Sequence, residues 1–364
     1  MKPLTMIRRA GRNVASVVKR RPAILTTNIL LTQKCVQNCL QCSIPLNASE
    51  NPVISFENYR ALVDRLDEYG TQVLTLSGGD PMLHPRLADC IRYAVGKNFA
   101  RVHLLTTLYG SEKAVARTLD AVFETGISIG ISFDGFGKEV DTIRGAKDVA
   151  QTVMRSMEMV RAENQKRRKP IQVGVNVVIS RLNLHQVPDI LAYLERFGWW
   201  TDVDIYRWQA TNQREDERMK LVDSPELRRV LEIVKKSPVV FTPDWLIDGF
   251  PDYLSGKFEK YCPYLDSPSL GSKFFINPDG GVKVCIGDEC GNLLRQTPEE
   301  FFASDGWARR LADFEECTGC WNTCYTTRSR ALWKTNAKKW KSYWRIARNK
   351  QLAPDEPAER PFVD

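Results

Sequence analysis

Apolar residues along this chain follow two alternating periods. Short β-branched and apolar runs at 27–32, 72–77, 101–106, 127–133, 171–179 and 202–208 have the length and composition of strands. Between them apolar positions recur at helical spacing, as in 56–69 and in 86–97, where Leu87, Cys90, Ile91 and Ala94 share one face. Six strands interleaved with helices predict a parallel α/β sheet or partial barrel. After about residue 240 the pattern changes. Two short strands flank Pro278-Asp279-Gly280, a hairpin signal, and a helix is predicted over 298–311.

A length of 364 residues suits one large domain with a smaller companion. No apolar run approaches the ~18–20 residues that span a bilayer, the N-terminus lacks a secretory core, and no repeat is visible. The net charge of +8 is concentrated in two places. Residues 1–21 carry seven Lys and Arg and no acid, residues 325–350 carry nine and no acid, and the remainder nets −8. A nucleic-acid binder with a broad basic face is not expected from this distribution. Both basic segments read as amphipathic helices. Ile7, Ala10, Val14, Val17 and Val18 form one apolar face; Trp333, Ala337, Trp340, Trp344 and Ala347 form the other. Packing on the body with a solvated basic face is one reading, contact with anionic headgroups or an acidic partner the other.

The ten cysteines change the picture most. Cys90 reads as core packing. Cys35, Cys39 and Cys42 form C-x3-C-x2-C directly after the first strand. Three soft thiolates in a tight loop suit three corners of an iron–sulfur cubane, with the fourth iron open. Structural zinc, the alternative, prefers four ligands and paired C-x2-C spacing. Ser77-Gly78-Gly79-Asp80-Pro81 follows the second strand, so in a parallel sheet both segments face one mouth.

These residues resemble the radical S-adenosylmethionine (SAM) enzymes. The C-x3-C-x2-C loop matches that family's signature, and the resemblance as a whole covers roughly 25–325 of the chain. The turn at Gly78, Gly79 and Asp80 is similar to its Gly-Gly-Glu-Pro segment, which holds the SAM amino group. Thr106, Ser132 and Arg144, near Asp134 and Gly145, fall at strand ends where members contact SAM. Two departures stand out: Asp80 replaces the commoner Glu, and Gln41 replaces the aromatic usual before the last cysteine. The resemblance implies a partial (β/α)6 TIM-like barrel and a [4Fe-4S] cluster bound with SAM. It implies reductive cleavage of SAM to a 5′-deoxyadenosyl radical that abstracts hydrogen from a substrate.

A second cysteine group, Cys262, Cys285, Cys290, Cys317, Cys320 and Cys324, occupies the last third. With Gly280 five residues before Cys285, and Cys317 paired to Cys320, it is similar to the SPASM/Twitch extension of the same family. That likeness implies one auxiliary [4Fe-4S] cluster on Cys262, Cys285, Cys317 and Cys320, with Cys290 and Cys324 as spares or substitutes; zinc on the same four is the alternative. The expected organisation is a basic segment at 1–24, a radical SAM core at 25–240, an auxiliary module at 241–325 and a basic aromatic tail at 326–364. A small-molecule, peptide or lipid-linked substrate and an external electron donor such as flavodoxin or ferredoxin are expected. So is a cytoplasmic location, with peripheral membrane contact left open. Two rivals remain: a zinc-dependent enzyme using the same cysteines, and a non-catalytic cluster scaffold. His84 reads as a loop or capping residue, and Tyr206, Arg207 and Trp208 as pocket lining or packing.

Overall fold

The computed structural model describes residues 22–323 apart from 49, 210–211, 261, 267–272, 286, 320 and 322. The basic segments at 1–21 and 325–350, together with Cys320 and Cys324, lie outside the described residues.

Six strands stand side by side in chain order, all parallel: β1 (Thr26–Thr32), β2 (Val73–Gly78), β3 (Arg101–Thr106), β4 (Ser128–Ser132), β5 (Val173–Ile179) and β6 (Trp200–Ile205). Right-handed crossovers that always advance in one direction put every connecting helix on one side, the winding of a barrel. The helices between them are α1 (Phe56–Tyr69), α2 (Leu87–Val95), α3 (Glu112–Thr125), α4 (Gly137–Arg144), α5 (Val149–Gln165) and α6 (Val187–Glu195). β3 and β6 alternate buried and half-buried residues, so one face packs on helices while the other carries Arg101, His103, Trp200, Asp202 and Asp204. Arg101 lies 4.5 Å from the Trp200 ring centroid. In a flat sheet, strands three places apart are separated by about 14 Å. Trp200 lies across Gly174 of β5 and His103 across Gly130 of β4, so side chains bridge that distance; the eight-stranded sheet does not close on itself, and the fold is an open, partial (β/α)6 barrel.

The chain continues through α7 (Pro225–Lys236), α8 (Asp244–Asp248), α9 (Phe250–Leu254) and α10 (Pro263–Asp266). It then adds β7 (Lys273–Ile276) to the free edge of β1, parallel and in register from Thr26↔Lys273 to Ile29↔Ile276. β8 (Val282–Lys283) closes the expected hairpin antiparallel to β7. The sheet thus runs unbroken from the barrel into the cysteine-rich segment.

Three local expectations are corrected. The helix expected over 86–97 is shorter, stopping at Gly96. The helix expected over 298–311 is two, α11 (Pro298–Phe302) and α12 (Asp305–Glu316), because the Ser304 hydroxyl accepts from Trp307 N and starts a new helix. The last barrel strand ends at Ile205, since the Tyr206 hydroxyl donates to Arg214 O and accepts from Asp216 N, drawing the chain into a loop.

Candidate functional site: a three-thiol loop clamped at the barrel mouth

β1 and β2 end together, so the cysteine loop and the glycine turn emerge as neighbours. Gly79 N donates to Thr32 O (2.7 Å) and Asp80 N to Lys34 O (2.8 Å). A Cβ on Gly79 would stand 2.2 Å from Lys34 O, and one on Gly78, whose φ is +152°, 2.2 Å from Thr32 O. Only glycine permits this backbone-to-backbone approach. On its other side the loop is held by the end of α4. Asn38 N donates to Arg144 O (3.1 Å) and Leu40 N to Ile143 O (2.9 Å). Gly145, at φ +59°, leaves no room for a Cβ beside Asn38 O. Arg214 completes the clamp, donating from Nε to Leu40 O (2.7 Å) and from Nη2 to Cys39 O (3.0 Å).

Cys39 is buried, and Cys35 and Cys42 are half-buried. Burial, with the charges of neighbouring cysteines adding to it, pushes the Cys35 thiol up to about 12 and the Cys42 thiol up to about 11. A soft metal is the agent that displaces such protons. Among the described residues, no three His, Cys, Asp or Glu side chains converge on a single-ion site. Arg144 Nη1 lies 4.0 Å from Cys39 Sγ, and its guanidinium pairs with the buried Asp134 carboxylate. Burial would lower the Arg144 pKa, but Asp134 and Cys39 outweigh it and hold the side chain charged. Gln37 Nε2 and Gln41 Oε1 are buried beside the loop without a hydrogen-bond partner among the described residues. Three soft donors, a fixed cation and two orphaned amide groups are the environment an iron–sulfur cluster with a polar co-ligand requires, so the residues fit that group.

Asp80 is buried, and its carboxylate is fully engaged. Oδ1 accepts from Met82 N (3.0 Å) and from the Thr106 hydroxyl (2.9 Å), while Oδ2 accepts from the Thr107 hydroxyl (3.0 Å). Burial raises its pKa against the pull of these bonds. Asp80 and Thr106 therefore brace each other across the ends of β2 and β3, which commits the Asp80 side chain to the fold. Ser132 is the last residue of β4, opposite Asn176 in register. His84 is structural, as expected, with Nε2 3.0 Å from Ile54 O and Nδ1 accepting from Arg86 N.

The superfamily model described as "Radical SAM superfamily" matches residues 29–194, the span that holds the cysteine loop, the glycine turn and Arg144 but not Arg214. The chain carries a radical SAM domain. In sequence it is 28% identical over 167 residues to the Fe-coproporphyrin III synthase of Methanosarcina barkeri, covering 45% of this chain and 39% of that protein. It is 30% identical over 296 residues to the subtilosin biosynthesis protein AlbA of Bacillus subtilis, covering 78% and 60%. In structure it resembles SuiB of Streptococcus suis bound to its precursor peptide SuiA, with a TM-score of 0.60, 13% identity, and 84% and 71% of the two chains covered. It also resembles anSMEcpe with bound AdoMet and a peptide, with a TM-score of 0.56, 15% identity, and 90% and 97% covered. The chain spans about two fifths of the length of the first curated relatives it matches.

Beyond the radical SAM domain the second cysteine group is partly described. Cys262 precedes α10; Cys285 follows β8 with a left-handed φ of +60°. Cys317 caps the end of α12, and its sulfur accepts from Gly319 N (3.3 Å). Cys290 is buried, with Sγ 3.5 Å from Val282 O. Trp321 Nε1 donates to Leu246 O of α8 (2.7 Å) and the Thr323 hydroxyl to Asp204 near the end of β6 (2.7 Å), which ties this segment to both elements. Pattern reading missed Gln37 and Arg214. Gln37 sits among the loop's spacer residues, and Arg214 lies in a segment with no motif, 175 positions from Cys39.

Proposed function

We propose that this protein is a radical SAM enzyme that modifies a peptide. Cys35, Cys39 and Cys42 hold a [4Fe-4S] cluster, and the backbone of Gly78, Gly79 and Asp80, with Ser132 at the neighbouring strand end, positions SAM. Together the cluster and SAM supply a 5′-deoxyadenosyl radical that takes hydrogen from the substrate. The observation that carries this reading is the backbone clamp: the glycine turn presses against the thiol loop so closely that no side chain fits between them. In this reading the turn's backbone carbonyls accept from the SAM amino group beside the open iron corner. The chain's own part is to hold three sulfurs, present backbone acceptors and shield the mouth from water.

Four relatives point to a peptide rather than a metabolite or lipid-linked substrate: AlbA by name a bacteriocin biosynthesis protein, the PqqA peptide cyclase, and the SuiB and anSMEcpe structures with peptides bound. An auxiliary cluster on Cys262, Cys285, Cys317 and Cys320 belongs to the same reading. The bond from Thr323 to Asp204 supports it, because it brings that segment to the C-terminal end of β6. The test is anaerobic reconstitution with iron and sulfide, reduction with dithionite, and detection of 5′-deoxyadenosine. Formation by the intact protein and its loss in Cys39→Ala are expected. A colourless, zinc-loaded and active protein would refute the proposal, as would a cluster that never cleaves SAM.

A further inference from the structure

Gln37 has no role in the clamp just described, yet it is 3% exposed. Its Nε2 lacks any acceptor among the described residues. A buried amide N–H without a partner costs about 1–3 kcal/mol, so its retention calls for an acceptor that arrives later. Its surroundings name one. Gln37 Oε1 lies 3.9 Å from Cys39 Sγ, and the backbone N–H of Gln37 donates to Cys35 Sγ at 3.4 Å. A half-turn of the terminal amide exchanges Oε1 and Nε2 and brings an N–H to that sulfur. The metal-free thiol of Cys39 donates toward Oε1; a metal-bound thiolate has no proton to donate and accepts instead. The same sulfur is approached by the Arg144 guanidinium, 4.0 Å away and held by its ion pair with Asp134.

We infer that Gln37, together with Arg144, is a positioning residue that sets the reduction potential of the cluster held by Cys35, Cys39 and Cys42. The inference rests on the functional reading above. Reduction adds one electron, drawn from an external low-potential one-electron donor, and makes the cluster more negative by one charge. Hydrogen bonds to its sulfurs and a nearby fixed cation favour the more negative state and raise the potential. The loop is largely buried, which favours the less charged oxidised state. The amide and the guanidinium offset that penalty, and neither needs to touch SAM to do so.

The experiment is an anaerobic redox titration of the reconstituted protein followed by electron paramagnetic resonance. It reads only the reduced-cluster signal that changes when SAM is added, which separates this cluster from any other. Gln37→Leu, which keeps the volume and removes the amide, should lower the reduced-to-oxidised ratio at a fixed potential by about tenfold, equivalent to about 59 mV for one electron. Gln37→Glu should lower it at least as far, with iron and sulfide contents equal to those of the unmodified protein in both variants. Midpoints unchanged in both variants would overturn the inference. So would loss of the cluster from both in a protein that keeps its circular dichroism, since Gln37 would then be part of the loop's architecture. If the unmodified protein shows no SAM-responsive signal, the functional reading itself fails and this inference falls with it.

Discussion

Gly79→Ala tests the clamp most directly. The added Cβ would meet Lys34 O at 2.2 Å, Lys34 C at 2.5 Å and Gln33 O at 2.7 Å, all backbone atoms that cannot rotate away. Real Cβ contacts essentially never fall below 3.0 Å, so the β2 turn and the loop entrance must part by at least 0.8 Å. That opening strains two hydrogen bonds of 2.7 and 2.8 Å, from Gly79 N to Thr32 O and from Asp80 N to Lys34 O. At about 0.5–1.5 kcal/mol each, their loss costs about 1–3 kcal/mol. A loss of about 2 kcal/mol lowers the melting midpoint by roughly 4–8 °C. Thermal unfolding of the metal-free protein reads the first effect, and iron bound after reconstitution reads the second, with both expected to fall. Gly126→Ala is the control. Gly126 also has a positive φ, +70°, but nothing lies within 4 Å of its Cβ position. It should lower stability and leave iron binding intact. Full iron loading and an unchanged melting midpoint in Gly79→Ala would refute the clamp.

Two further perturbations address the buried charges. Asp134→Ala leaves the Arg144 guanidinium buried without its counter-charge, and should cost about 3–5 kcal/mol in urea titrations of the metal-free protein; an effect below 1 kcal/mol would show the pair to be solvated. In the barrel interior, burial, with the charges of Arg101 and Lys273 adding to it, depresses the His103 pKa to about 3. The unfolded chain binds this proton near the ordinary value of 6.5 and the folded chain does not. Stability is therefore complete above 6.5 and is lost as the pH falls toward 3. Allowing for an interior partly open to water, the loss is roughly 2–4 kcal/mol. Burial raises Asp202 to about 6 despite Arg101, so it acts in the opposite sense, adding stability as the pH falls from 6 to 3.8. Comparison of His103→Gln with the unmodified protein cancels the Asp202 contribution. The variant should gain relative stability steadily from pH 6.5 downward, and parallel pH profiles would contradict the assignment.

Much of this protein was legible along the chain. The predicted span of α1 matches the observed Phe56–Tyr69, and that of β3 matches Arg101–Thr106, because local periodicity and capping residues such as Ser55 act within a few positions. The three thiols and the glycine turn were also visible, since tight spacing and required glycines are local properties. What the sequence left open lies at long range. Asp80 was expected at the SAM contact, yet its carboxylate is engaged by Thr106 and Thr107, 26 and 27 positions away. Arg214 grips the cysteine loop from 175 positions away, and β7 joins the sheet at the edge of β1. Periodicity names which side chains are buried and which element carries them. It does not name their partners, because those are chosen by strand order. Only the folded chain brings Arg144 to the sulfur that Gln37 also approaches.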